Sequence, residues 1–363
     1  MKIINLSNSE FLIKTPNLSM VPNLERLVLN GCIRLQELHQ SVGALKHLIL
    51  LDLKDCKSLK RIPFNICFES LKILVLSGCS RLENFPEIVE NMKLMTELHL
   101  DGTAIRELHQ SIGKLTSLEL LDLRHCKNLL TLPDSIGCMT SLKHLALGGC
   151  SKLDQIPDSL GNISCLKKLD VSGTSISHVP LSLRLLANLE VFNCEGLSRK
   201  FCYSFFPFWD TPRNYNSHSF GLKLMTCLSN FHSVKVLIFS DCKLVDGDLP
   251  NNLSCLSSLQ FLDLSRNFFA NLPNSLCQLI NLRCLVLDNC SRLQSLPKLP
   301  LGLRYVLARN CVSLKEHYNQ EDHRPISETE VMILSYPTSA EHQNSKMANL
   351  MQSKIYTAWE NGH

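Results

Sequence analysis

Seventeen cysteines and thirteen histidines in 363 residues are enough to build metal, redox or nucleophilic chemistry, so their spacing is decisive. Eight of them, Cys32, Cys56, Cys79, Cys126, Cys150, Cys242, Cys290 and Cys311, recur at one position of a pattern that repeats along the chain. There is one per period, with no C-x-x-C pair and no matching row of histidines. This spacing argues for small buried thiols rather than a metal site or a redox relay. His125 beside Cys126 suggests a thiolate–imidazole pair, but neighbours on a strand point to opposite faces, so the two diverge. His39 and His109, each in an L-H-Q-S segment, stand where equivalent segments have proline and read as variants of the repeat, not ligands. The chain contains no P-loop, G-x-S-x-G, H-E-x-x-H, EF-hand loop or G-x-G-x-x-G. The expectation is a non-enzymatic chain with no catalytic residues, cofactor or metal.

Composition points the same way. Hydrophobic types make up 45% and charged types 19%, and glycine plus proline only 30 of 363 residues, which excludes collagen-like, low-complexity and globally disordered classes. A net charge of +4, dispersed along the chain, gives no nucleic-acid or membrane-surface footprint. No apolar run reaches 18 residues, and the opening MKIINLSNSEFLIKTP lacks a signal-peptide core and cleavage site. No membrane span is expected, and the expected compartment is cytoplasmic, with the nucleus as a second location.

The elements that position these residues are set by an aliphatic period. Aligning on L-x-x-L-x-L-x-x-C places Ile4, Leu27, Leu51, Leu74, Leu98, Leu121, Leu145, Leu169, Phe192, Leu237, Leu262, Leu285 and Val306 at the centres of thirteen units. Successive steps are 21 to 25 residues, with one of 45. That period and pattern are the signature of leucine-rich repeats. The fold class expected is α/β: a right-handed solenoid or horseshoe with a parallel sheet on its concave face and short helices or 3-10 turns and loops on its convex face. Each unit starts with a short strand, such as Leu24 to Leu29, with Leu27 and Leu29 inward and Arg26, Val28 and Asn30 outward. The chain then turns inside the stack, where buried backbone groups need partners, at the ladder Cys, at Asn267, or at Thr103 and Thr174 in two shortened coils. The convex return recurs as L-P-x-S-[IL]-G, as at Pro133, Ser135 and Gly137 and at Pro157, Ser159 and Gly161, with the serine expected to cap a short helical turn.

The solenoid is expected to span residues 1–314 in about 13 coils, interrupted by an insertion at 198–232. Nine of the 23 aromatics fall there, among them Phe205, Phe206, Phe208, Trp209 and Phe231, together with an excess of basic charge. Two readings stay open: a contact surface, or aromatics that fold back to plug a distorted coil. Residues 315–363 form a polar tail, with Met347, Leu350, Met351, Ile355 and Trp359 at helical spacing within 345–360.

The outward strand positions form the candidate protein-binding face. Its members are Arg26, Val28, Asp52, Lys54, Val75, Glu97, His99, Asp101, Asp122, Arg124, His144, Lys168, Asp170, Phe261, Asp263 and Asp288, a mildly acidic set. Apolar outward residues, which also include Leu50, Ile73, Leu120, Ile238 and Tyr305, are too dense for a purely solvating surface, so a partner is expected over some of them. Just after the ladder Cys, a cation recurs as Arg34, Lys57, Arg81, Lys127, Lys152, Lys243 and Arg292. This basic ridge is either a solvated rim or a dock for an acidic surface of a partner or of another domain.

The segments NLERLVLNGCIRL (Asn23 to Leu35), ILVLSGCSRLENFPE (Ile73 to Glu87), LHLDGTAIRELHQSIGKLTSL (Leu98 to Leu118) and LDLRHCKNLLTLPDSIG (Leu121 to Gly137) carry a resemblance. The repeats resemble the leucine-rich-repeat region of plant intracellular immune receptors of the TIR, nucleotide-binding class over about residues 1 to 314. The G-x-I-P turn of extracellular plant receptors is missing, so sequons such as the one at Asn162 carry little weight for an extracellular receptor. The resemblance implies a module that binds a pathogen effector or a guarded host protein and restrains a nucleotide-binding domain until then. The TIR and nucleotide-binding parts of that class are not in this sequence, and Met1 falls inside a coil, which suggests a fragment or truncated product whose uncapped first coil lowers solubility. The rival readings are a decoy or remnant without signalling and the substrate-binding repeats of a ubiquitin-ligase adaptor.

Overall fold

The computed structural model describes residues 1–62, 68–88, 92–176, 180–197, 231–249, 252–314 and 332–334. Among these described residues, fourteen three-residue strands lie side by side in chain order in one parallel sheet. They are β1 (Ile3–Asn5), β2 (Arg26–Val28), β3 (Leu50–Asp52), β4 (Ile73–Val75), β5 (Glu97–His99), β6 (Leu120–Asp122) and β7 (His144–Ala146), followed by β8 (Lys168–Asp170), β9 (Val191–Asn193), β10 (Val236–Ile238), β11 (Phe261–Asp263), β12 (Cys284–Val286), β13 (Tyr305–Leu307) and β14 (Met332–Leu334). The thirteen centres from Ile4 to Val306 face one another without a slip. An aliphatic period that never changes phase fixes this register, because a one-residue shift would turn every Leu outward.

The strands are shorter than the stretch from Leu24 to Leu29, but the ladder continues past them. Leu29 N donates to Asp52 O at 2.8 Å and Gly31 N to Lys54 O at 2.8 Å, and the equivalent bonds recur from coil to coil. Four residues after each centre the backbone turns left-handed, with φ between 52° and 76° in all thirteen coils from Ile4 to Val306. Glycine suits that conformation, and Gly149 shows a second reason for it. At φ +76°, a Cβ there would lie 2.5 Å from the Nδ1 of His125, which holds the same turn in the preceding coil at φ +58°.

That turn drops the chain inward onto the ladder position. Each ladder thiol donates to a carbonyl of the preceding coil, as in Cys56 Sγ to Leu29 O at 3.2 Å, Cys126 to Leu100 O at 3.1 Å and Cys150 to Leu123 O at 3.1 Å. Asn267 makes the same link through Nδ2 to Phe239 O at 2.9 Å. The inward side chains merge into one apolar core running from Leu18 to Cys311. Burial of each Leu contributes roughly 1.5–3 kcal/mol, and no coil achieves it without its neighbours.

The convex side carries 3-10 helices at Gln40–Ala44, Gln110–Lys114, Asp134–Cys138, Asp158–Asn162, Leu181–Leu185 and Asn274–Gln278. The capping expected of Ser135 and Ser159 is corrected here. Both serines sit inside their helices, and Pro133 and Pro157 hold the N-cap without a side-chain bond. Their hydroxyls have no hydrogen-bond partner among the described residues, where each serine lies against a glycine of the preceding coil. Where His replaces that proline, His39 and His109 are the caps, each Nδ1 accepting from the N–H of Ser41 or Ser111.

The long step between Phe192 and Leu237 leaves the sheet intact, since β9 pairs directly with β10. Phe231, the last aromatic of the insertion, is buried edge-on against Phe192 with centroids 5.8 Å apart. Phe205, Phe206, Phe208 and Trp209 lie outside the described residues, as does the helical spacing at 345–360. The sheet extends past residue 314, where β14 joins β13 in parallel register within the stretch read as a polar tail.

Candidate interaction surface

The outward strand residues divide into three zones. From β2 to β6, half-buried Val28, Leu50, Ile73, Val75 and Leu120 form an apolar band beside exposed Arg26 and Lys54. The middle zone is polar. Asp122 is buried and held by Arg124 as a two-pronged pair, Nε to Oδ1 at 3.0 Å and Nη2 to Oδ2 at 2.7 Å. Ser77 Oγ donates to Asp101, and His99 Nε2 lies 3.1 Å from Glu97 Oε2. The ligand-type atoms of His99, Asp101 and Asp122 come within 4.8 Å of one another, yet Arg124 and Ser77 already engage the two carboxylates, so the arrangement is a hydrogen-bonded ion-pair network. Burial, then Lys168 across the register and Lys143 and Lys167, lower the pKa of His144 to about 4. Its imidazole is therefore neutral at physiological pH.

The third zone differs from expectation. Phe261 and Ile238, placed among exposed apolar residues by their strand position, are buried. They pack with Cys284, Val286 and Leu307, and with Val236 and Tyr305 partly buried, into a second apolar cluster on the outward side of β10 to β13. Asp122, Asp170, Asp263 and Asp288 are likewise buried rather than displayed.

A recurring local motif explains three of them. The residue after the centre is Asp or Asn in six coils, and its Oδ1 accepts the N–H two residues on: Asn5 from Ser7, Asp52 from Lys54, Asp122 from Arg124, Asp170 from Ser172, Asn193 from Glu195 and Asp263 from Ser265, at 2.9–3.0 Å. These side chains terminate strands, as Asx turns do. Burial raises the pKa of Asp170 and Asp263, so their ionised forms cost stability. A raised folded-state pKa means that the native state holds the proton to higher pH than the unfolded chain, so this contribution is lost as pH rises through it. Asp263→Asn keeps the acceptor, as Asn193 does in its own coil, and is expected to raise stability by about 1 kcal/mol at pH 7. The gain should shrink in urea titrations repeated towards pH 4; a loss of stability at pH 7 would contradict the assignment.

Arg34, Lys57, Arg81, Lys127, Lys152, Lys243 and Arg292 are all exposed beside the sheet. Arg34 lies over the Phe11 ring at 6.0 Å, and Lys152 donates to Asn128 at 2.9 Å.

The ladder thiols are chemically quiet. Burial pushes Cys56, Cys150, Cys242 and Cys290 up to about 12 and Cys126 up to about 11, and raises Cys79 further. With a pKa near 12, roughly one thiol in ten thousand is ionised at pH 8, far too few for nucleophilic use. Iodoacetamide at that pH is expected to label exposed Cys138, Cys165 and Cys277 while leaving the ladder unmodified until the chain unfolds. Mass-spectrometric mapping that finds early adducts on Cys126 or Cys150 would contradict this.

A family model described as a leucine-rich repeat region matches residues 63–247, and a second, leucine rich repeat, matches 258–279. The chain belongs to the leucine-rich-repeat family. Among curated leucine-rich-repeat relatives, TMV resistance protein N of Nicotiana glutinosa is 39% identical over 298 residues, covering 82% of this chain. Disease resistance-like protein DSC1 of Arabidopsis thaliana is 38% identical over 315 residues, covering 87% of the chain. The repeats are thus similar to those of these two plant disease resistance proteins. The chain spans 24% of the length of each of these two relatives. Among solved structures, a leucine-rich-repeat protein of Leptospira interrogans aligns with a TM-score of 0.55 at 22% identity, over 86% of this chain and 91% of that one. The InlJ functional domain of Listeria monocytogenes, described as including a cysteine ladder, aligns with a TM-score of 0.51 at 14% identity, over 85% of this chain and 58% of that one. These two likenesses show the fold. Leucine-rich-repeat solenoids are protein-interaction scaffolds, and no described helix is long and apolar enough to cross a membrane.

Proposed function

We propose that this leucine-rich-repeat module recognises a protein, a pathogen effector or a guarded host protein, on the outward face of β2 to β8, as part of a cytoplasmic plant immune receptor. The observation that supports this most directly is the apolar band of Val28, Leu50, Ile73, Val75 and Leu120 running into the polar zone of Glu97, His99, Asp101, Arg124, His144 and Lys168. An apolar centre with a charged border is the make-up of a docking surface. The exposed ridge supports a second contact, with an acidic surface of the nucleotide-binding part of a longer receptor, which would hold that part inactive until the partner binds.

The test is affinity selection from pathogen-challenged leaf extract, followed by titration of the purified partner against three forms of the chain. The Arg26→Glu, Lys54→Glu, Lys168→Glu variant is expected to lose at least about 100-fold in affinity. Charge reversal of Arg81, Lys127 and Lys152 is expected to leave that partner bound and to weaken only docking to an acidic domain, with a steep salt dependence. Unchanged partner affinity in the first variant would overturn the reading.

A further inference from the structure

The basic ridge is notched where the Leu98 coil is shortened. Cys79 is followed by Ser80 and Arg81 before core Leu82, whereas Thr103 is followed by Ala104 alone before core Ile105. A hollow of about 460 Å³ lies at this notch, lined by Lys60 and Arg61 of one coil, by Ser80, Arg81, Glu83 and Asn84 of the next, and by Ala104 of the shortened coil.

Two carboxylates beside these cations are engaged by other cations. Glu37, beside Arg61 across the backbone bridge, is held by Lys14 at 2.5 Å, and Glu83 at the rim is engaged by Arg106 at 3.4 Å. Lys60, Arg61 and Arg81 therefore converge with no ion pair among the described residues. Two guanidinium forks, an ammonium, a hydroxyl and a carboxamide are a donor set matched to phosphoryl oxygens, with Arg supplying paired N–H groups. The volume falls in the range of small-ligand pockets, enough for a phosphate and the group that carries it.

We propose that the notch framed by Lys60, Arg61 and Arg81 binds a phosphate monoester, carried either by a small soluble molecule or by a phosphorylated side chain. The notch lies away from the strand residues assigned to partner recognition, so failure of that assignment is distinguishable from failure of this one; Arg81 is shared with the ridge contact, and Lys127→Ala separates the two. The test is calorimetric titration of the full chain with inositol hexakisphosphate, a phosphoserine peptide and orthophosphate, each at low and high salt. Saturable binding is expected, weakened at least about tenfold in Arg61→Ala, Arg81→Ala and left within about twofold by Lys127→Ala farther along the ridge. Tighter binding of the inositol phosphate points to a small-molecule source, and tighter binding of the peptide to a phosphorylated side chain. Thermal melting controls for folding, which substitution of these rim residues should leave unchanged, and the Arg26→Glu, Lys54→Glu, Lys168→Glu variant should bind the probes as the parent chain does. Absence of saturable binding by every probe up to about 10 mM, or equal affinity in the double Arg variant, overturns the proposal.

Discussion

Gly161→Ala is expected to destabilise the chain by about 3 kcal/mol, read as a lower urea midpoint at unchanged slope. A Cβ at this position would lie 2.3 Å from the carbonyl oxygen of Ser182 and 2.6 Å from its Cβ. These atoms belong to the next convex helix, so no rotamer change can relieve the overlap and the two coils must part. The seam is repeated at Gly113 against Ser135 and Gly137 against Ser159, where the contacts would be 2.5 and 2.4 Å. Because each coil touches only its neighbours, amide exchange is expected to accelerate in the coils centred on Leu145, Leu169 and Phe192 and to change little at Leu27. A loss below about 1 kcal/mol would mean that the convex seam yields more easily than this packing allows.

Arg309→Ala is expected to cost about 2 kcal/mol at pH 7. Arg309 donates through Nε to Asp288 Oδ2 at 2.8 Å, and Nη2 contacts the same oxygen. The Asp288 side chain is only 10% exposed and the arginine 34%, so the figure lies below that for a fully buried pair. The surroundings make the cation matter. Asp288 shares a hollow of about 320 Å³ with Glu195 and Asp263, whose carboxyls burial has already pushed upward, and Arg266 reaches Glu195 only at 3.8 Å. Without Arg309 three carboxylates would face one another. The destabilisation should decline as pH falls and Glu195 and Asp263, their carboxyls already raised by burial, take up protons, and Asp288→Asn added to Arg309→Ala should restore most of it. Equal destabilisation at pH 7 and pH 4 would show that the arginine contributes packing rather than charge.

The sheet was legible because its cause is one-dimensional: a Leu returning at fixed phase can face only one way, and every centre from Ile4 to Val306 does. The ladder cysteines were legible for the same reason. The left-handed turn was half visible in Gly31, Gly78, Gly102 and Gly149 and in Asn8, Asn289 and Asn310, types that tolerate it, and was hidden where His125 and Arg266 occupy it. What the alternation of strand residues could not reveal was exposure on the outward face. Phe261 and Ile238 are covered because their cross-strand neighbours are Cys284, Val286 and Leu307, a property of adjoining coils rather than of either strand. The alternation places Asp122, Asp170 and Asp263 on the displayed face, whereas their carboxylates bond the following N–H groups; the recurrence of Asp or Asn at that position, Asn5 and Asn193 included, is the sequence signal for this. The capping role given to Ser135 and Ser159 failed because proline already sets the start of those turns.

The claim that the outward sheet face is the docking surface is tested most directly by site-specific photocrosslinking to the purified partner. A photoreactive residue is placed at Val75 on β4, at His144 on β7, or at Asp134 on the convex helix Asp134–Cys138. Adducts from positions 75 and 144 and none from 134 are the predicted result, and crosslinks confined to position 134 would contradict it.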